Sequence, residues 1–254
     1  ALIASNNAAK AQRDFTKSIA KLSTGKRAMF GSDPAGQSVA DSLNAKSKSW
    51  YVAGRNAEDG ISAAQIVESS LMEIASLAQR LKELGIRADN ADFMTTTDIS
   101  ALDAEAAAIY DTIDSIVETT KFNDVSLLGF STKLHRIALA DNGSSIYFKT
   151  SDGFTSVGNN NTADGADAQA DIILAEVSTD LGNAAAGMSA FKARQSVAYS
   201  ASANLAAAAS RIEDTDYAEE SANLARLSIL NQSAMAMVAQ ANRANATFLD
   251  IINQ

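Results

Sequence analysis

One histidine, His135, and three adjacent acidic pairs, Glu58-Asp59, Glu213-Asp214 and Glu219-Glu220, are the side chains best equipped to move protons. An imidazole titrates near neutrality and can act as a general base or a metal ligand. His135 stands beside Arg136 in a chain without cysteine, so neither a metal cluster nor a nucleophile relay forms around it. Its expected role is structural or solvated. Glycoside hydrolysis needs two carboxylates facing each other across a cleft. Adjacent carboxylates on a helix point in different directions, so the acidic pairs read as solvated faces or helix-end caps. The run from Gly153 to Gly158 lacks the lysine and the following helix of a phosphate loop. These residues predict no catalytic, cofactor-binding or metal site, and no enzyme.

Composition narrows the classes further. The formal charge is −9, which leaves no basic footprint for nucleic acid and disfavours an anionic membrane surface. No run of about 20 apolar residues is present to span a bilayer. Cysteine is absent, which excludes disulfide and thiol chemistry and suits an exported protein. No charged-then-apolar signal peptide is visible, and the start at Ala1-Leu2-Ile3 without methionine suggests trimming. Hydrophobic residues make up 46% but aromatics only 6%, with alanine supplying much of the difference. That balance favours close helix–helix packing. A single proline and 13 glycines allow long uninterrupted helices.

Such helices are written in the spacing of apolar and small residues. One run is Trp50, Ala53, Ala57, Gly60, Ala64, Val67, Leu71, Ile74, Ala78 and Leu81. A second runs from Ile99 through Leu102, Ala106, Ile109 and Ile113 to Ile116. A third passes through Leu174, Val177, Leu181, Ala184, Met188 and Phe191 to Ala198, Leu205, Ala209 and Ile212. A fourth passes through Leu224, Leu227, Leu230, Ala234, Met237, Ala241 and Ala244 to Phe248 and Ile251. Steps averaging 3.5 residues place a narrow seam along each helix, as in coiled coils. Gln195 and Ser202 fall on the third seam, where they weaken it locally or fix its register.

Boundary chemistry agrees. Asp33-Pro34 offers a capping oxygen followed by proline at the first helical position. Thr95 to Asp98 offers several caps for the second run, and Asp216 followed by Glu219 resembles a capping box. A helix from about Pro34 to Ala88 would measure roughly 80 Å. Near residues 134–150 the helical period breaks, and Asn142-Gly143 between apolar runs predicts a β-hairpin. Residues 155–169 are polar and read as a loop. The fold class that follows is mainly α: long antiparallel helices packed as a coiled-coil-like bundle, with one small β-hairpin.

Several segments carry a family likeness: KLSTGKR at Lys21–Arg27, PAGQ at Pro34–Gln37, GRNAEDGISAA at Gly54–Ala64, FNDVSLL at Phe122–Leu128 and SRIEDTDYAE at Ser210–Glu219. In this order they resemble the two terminal blocks of bacterial flagellin. The resemblance covers nearly the whole chain apart from about residues 130–170. It implies terminal segments that pair with each other, here 1–31 with 213–254 as the inner domain, and a helical core domain over 32–212 carrying the hairpin. It also implies that no large outer domain is inserted and that about a dozen residues are trimmed before Leu2. The expected function is a secreted structural subunit of the bacterial flagellum at the cell surface, self-assembling through terminal helices into a filament. Two alternatives are a hook–filament junction protein and a surface-displayed adhesin or glycan binder. The second would use Tyr147, Phe148 and Phe154.

The same resemblance supplies partners and contact residues. Partners are further copies of the chain, the flagellar export chaperone and cap, and a host Toll-like receptor. Subunit-contact candidates are Arg211, Glu213 and Asp214, at the end of the third seam. Receptor-contact candidates are Arg80, Leu84 and Glu105, with Lys82 where the family more commonly has arginine. No cofactor is implied.

Overall fold

The structure is a computed structural model that describes residues 2–27, 33–139, 145–154 and 162–252, with side chains as far as 247. Five α-helices dominate: α1 Leu2–Thr24, α2 Pro34–Ala88, α3 Thr96–Thr119, α4 Ala166–Glu213 and α5 Tyr217–Ile252. Two small antiparallel sheets lie between α3 and α4 in sequence. One pairs β1 Lys121–Phe122 with β2 Val125–Ser126, the other β3 Lys133–Ala138 with β4 Ser145–Ser151. The mainly helical class read from the sequence is the observed one. The chain divides into two compact units, Ala1–Ala45 with Asn204–Gln254, and Lys46–Ala203.

In the first unit α1 and α5 pair antiparallel, since Lys21 meets Glu220 while Gln12 meets Asn231. The contacting row of α1 is Ala4, Ala8, Ala11, Phe15, Ser18 and Leu22. On α5 it is Leu224, Leu227, Asn231, Ala234, Val238 and Ala241. The fourth seam therefore differs from its sequence reading. Leu230 and Met237 point outward, at 51% and 64% exposure, and Asn231 and Val238 take their places. A step of four after Leu227 keeps the row straight along the partner, whereas a step of three leads off it. Asp33 and Asp216 cap α2 and α5 as read: Asp33 Oδ1 accepts from Gly36 N at 2.9 Å, and Asp216 Oδ1 accepts from Ala218 N at 2.8 Å.

The second unit holds the hydrophobic core. Here the 46–88 part of α2 packs antiparallel against α3 and against the 166–203 part of α4, as the pairs Arg80–Glu105, Ser70–Thr120, Lys82–Asp171 and Glu58–Gln195 require. Val67, Leu71, Ile74 and Leu81 of the first seam are fully buried, and Ile173, Val177 and Phe191 of α4 are nearly so. Each such side chain contributes about 1.5–3 kcal/mol on burial. Both polar seam positions are matched. Gln195 donates to Glu58 Oε1 at 2.9 Å, and Ser47 Oγ donates to Ser202 O at 2.8 Å. Thr95 completes a full capping box with Asp98 at the start of α3.

In the second hairpin β3 alternates its exposure, and β4 sends Phe148 inward, where its ring meets Phe191 of α4 edge-on at 5.4 Å. The Asn142-Gly143 turn lies outside the described residues. The β1–β2 hairpin is absent from the sequence reading. Asn123 and Asp124 both take positive φ, 48° and 63°, which is the tight two-residue hairpin turn. Strands of two residues carry too little alternation to announce themselves.

Candidate functional site

Two oppositely charged stretches far apart in sequence meet in the first unit. The segment after α1 lies alongside the end of α4: Arg27 N donates to Glu213 O at 2.6 Å, and Thr215 N donates to Gly25 O at 2.8 Å. This brings the ammonium of Lys26 onto the carboxylate of Glu213, which Asn44 also reaches at 3.3 Å. The Lys26 hydrogen bond and charge hold the Glu213 carboxyl below its ordinary value and raise Lys26 in turn. One turn further, Ser18 Oγ donates to Glu220 Oε1 at 2.5 Å and Lys21 lies 3.3 Å from Glu220 Oε2. Ser18 and Glu220 are both buried.

The three subunit-contact candidates thus part company. Glu213 is enclosed by its own chain and serves the fold. Asp214 is bound within the last turn of α4, accepting from Ser210 Oγ. Arg211 is exposed, and among the described residues no ion pair engages it. Lys26 and Ser18 escaped the sequence reading, and Glu213 and Glu220, read there as solvated or capping acids, are buried against them. Their signal was the complementarity of a basic KLSTGKR near one end and an acidic IEDTDYAEE near the other.

In the second unit Arg80 bridges α2 and α3. Its Nη2 lies 2.6 Å and its Nε 2.8 Å from Glu105 Oε1, and its Nη1 lies 2.9 Å from Glu83. Those acids raise the Arg80 pKa further. Arg80 and Glu105 therefore stand together on an accessible face. Leu84 does not join them: at 1% exposure it belongs to the core and holds α2 in place from beneath. A leucine one turn from an arginine looks surface-facing in sequence only if the seam is taken to end at Leu81.

His135 is half-buried on β3, and its Nε2 is enclosed with no hydrogen-bond partner among the described residues. Burial chiefly, and then Lys133, lower its pKa; a bond to the Leu127 backbone opposes them. It therefore stays neutral at pH 7. It lines an open groove of about 310 Å³ with Gly60, Phe122, Leu127, Ile137 and Phe148. The aromatic set proposed for glycan binding does not assemble. Phe148 and Phe154 are buried at 2% and 3% exposure, and only Tyr147 faces outward. Residues 155–161, which follow Phe154, lie outside the described residues. Among the described residues, no group of three or more His, Asp or Glu side chains could hold a metal ion, and no helix is long and apolar enough to cross a membrane.

The sequence comparisons also find a helical region at each end of the chain. Residues 1–132 match the bacterial flagellin N-terminal helical region, and residues 168–252 match the bacterial flagellin C-terminal helical region. The chain belongs to the bacterial flagellin family. A flagellin of Halalkalibacterium halodurans is 31% identical, over 93% of this chain and 91% of its own length. A flagellin of Bacillus subtilis is 28% identical, over 98% and 95% of the two chains. A flagellar filament core protein of Brachyspira hyodysenteriae is 30% identical, over 94% and 92%. The flagellin relationship thus extends over nearly the full length of all three relatives, and the two matched helical regions leave only 133–167 between them, where β3–β4 lies.

Proposed function

We propose that this flagellin-family chain builds the bacterial flagellar filament through apolar helix faces that its own fold leaves uncovered. The carrying observation is on α1 and α5. After the two helices have paired, Ile229, Leu230, Met235 and Met237 remain 51–66% exposed, and Leu2, Ile3 and Ile19 remain 44–79% exposed. A subunit that buries such a face against a differently placed surface of its neighbour makes a head-to-tail contact, which propagates as an open helix when the rotation does not close. The work is structural and the site of action is the flagellum at the cell surface. The hook–filament junction and glycan-binding readings gain no support from any surface described above.

The finer assignments rest on family resemblance. Residues 1–31 with 213–254 form the inner domain and 32–212 the core domain. The chain is secreted, with a flagellar export chaperone and a cap as its partners. Arg211 is the strongest subunit-contact candidate of the three, because it is exposed at the end of α4. Arg80 and Glu105 are the residues a host Toll-like receptor would touch. The test is seeded polymerisation of the full chain carrying Leu230→Glu and Met237→Glu. Both sites are exposed, so the circular dichroism spectrum should be unchanged while sedimentable polymer is lost. Normal polymer from that variant would remove α5 from the assembly surface.

A further inference from the structure

The second unit carries a large exposed aromatic and, elsewhere on the same unit, an open apolar groove. Phe93 ends the single 3₁₀ turn Ala91–Phe93 between α2 and α3 and is 92% exposed. The groove is walled by Gly60 of α2, Phe122 and Leu127 around the small hairpin, and Ile137 and Phe148 of the larger one. We infer that Phe93 of one copy seats in this groove of the next copy, resting on the filament-subunit reading above.

Four observations carry the assignment. The first is distance: from Gly60 to Ala88, where α2 ends, the helix alone advances about 42 Å. Phe93 therefore cannot reach the groove of its own chain, and only another copy can supply the ring. The second is size: a cavity of about 150 Å³ accepts benzene, and the groove measures about 310 Å³. The third is chemistry. The floor is apolar, and a Cβ added at Gly60 would come within 2.7 Å of Ile137 and 3.0 Å of Phe191, so the floor is already closely packed beneath the opening. Neutral His135 adds no charge to desolvate. The fourth is charge: Phe93 is flanked in sequence by exposed Asp89, Asp92 and Asp98, with Arg87 the nearby cation. Arg136 and Asp59 line the groove, and Lys121, Lys133 and Asp124 lie within two residues of its lining in sequence, which leaves the rim one positive charge in excess. An acidic tip against a slightly basic rim steers and orients the contact. Two different surfaces meeting in this way are heterologous, as an open filament requires.

The absence of cysteine makes the test clean. The full chain carries Phe93→Cys with Val125→Cys, the latter 52% exposed at the groove edge. Seeded polymer is oxidised and run without reductant. The inference expects a ladder of linked chains from the double variant and none from either single variant. In parallel, Phe93→Asp should raise the concentration needed for polymer about tenfold or more, while Phe93→Leu changes it little. Polymer that forms normally without a ladder overturns the groove assignment and leaves the filament reading standing. A wild-type chain that forms no polymer under the same seeding counts against the filament reading and takes the inference with it.

Discussion

Glu213 is enclosed while its cation, Lys26, is nearly half exposed, and that asymmetry decides what the pair contributes. Solvent screens the ammonium, so the attraction is modest. The enclosed carboxylate also accepts from Asn44 through its other oxygen, and a glutamine amide leaves one acceptor oxygen for these two donors. Glu213→Gln is therefore expected to lower stability by about 1–2 kcal/mol at neutral pH. The folded-state pKa of Glu213 lies below its ordinary 4.5. Its contribution is thus present above that value and is lost as pH falls through the lowered one. Urea unfolding of wild type and Glu213→Gln from pH 7 to pH 3 checks this: the gap between them should narrow on acidification. A gap that widens would mean the native carboxylate is not the favoured form. Asp180 carries the opposite sign, because burial raises its pKa although it accepts from Asp152 N at 3.0 Å. It weighs against stability near neutrality, and acidification relieves that.

Between helices, close approach depends on what is missing from the side chains. Gly187 of α4 lies under the hairpin, where an added Cβ would come within 2.4 Å of the Phe148 ring. Phe148 is packed against Phe191 and has little room to move. Gly187→Ala is expected to destabilise by about 1–3 kcal/mol through overpacking. Gly182, five residues earlier on the same helix, has nothing within 4 Å of the position its Cβ would take. Gly182→Ala should stabilise by about 0.5–1 kcal/mol by restricting the unfolded chain and favouring helix. Thermal melts of the two variants should move in opposite directions, by about 2–4 °C per kcal/mol. Movement in the same direction would mean that helix propensity, not the hairpin contact, governs this part of α4. Polar residues at contact rows complete the element scale. Gln195, Ser202 and Asn231 each find a partner across the interface, so register slips would break half-buried polar pairs.

For the assembled molecule, the sharpest question is which charges act within a copy and which between copies. Glu213 and Glu220 are engaged internally, whereas Arg211 is exposed. Arg211→Ala is expected to leave the melting temperature within about 2 °C, as surface substitutions generally do. If Arg211 is desolvated against a neighbour, the same change weakens polymerisation by about 2 kcal/mol or more. Melting and sedimentation measured side by side decide this. A large fall in melting temperature with normal polymer would make Arg211 a folding residue. Normal values in both would remove it from the subunit contact.

The sequence by itself determined the long helices, three of the four seams and most of the caps. Period 3.5, a single proline at the start of α2 and the oxygens of Asp33, Thr95 and Asp216 are local signals, and local hydrogen bonds and burial obey them. It also carried the family, because the terminal motifs are contiguous strings. Only the tertiary structure decided which apolar residues are used up inside one copy. Leu230 and Met237 turn outward because α1 meets a neighbouring row of α5, and Leu84 turns inward because the core continues past Leu81. Ser18, Lys26, Glu213 and Glu220 converge from opposite ends of the chain. Periodicity gives the angle of a residue around its own helix. It does not give the position of the helix that will cover it.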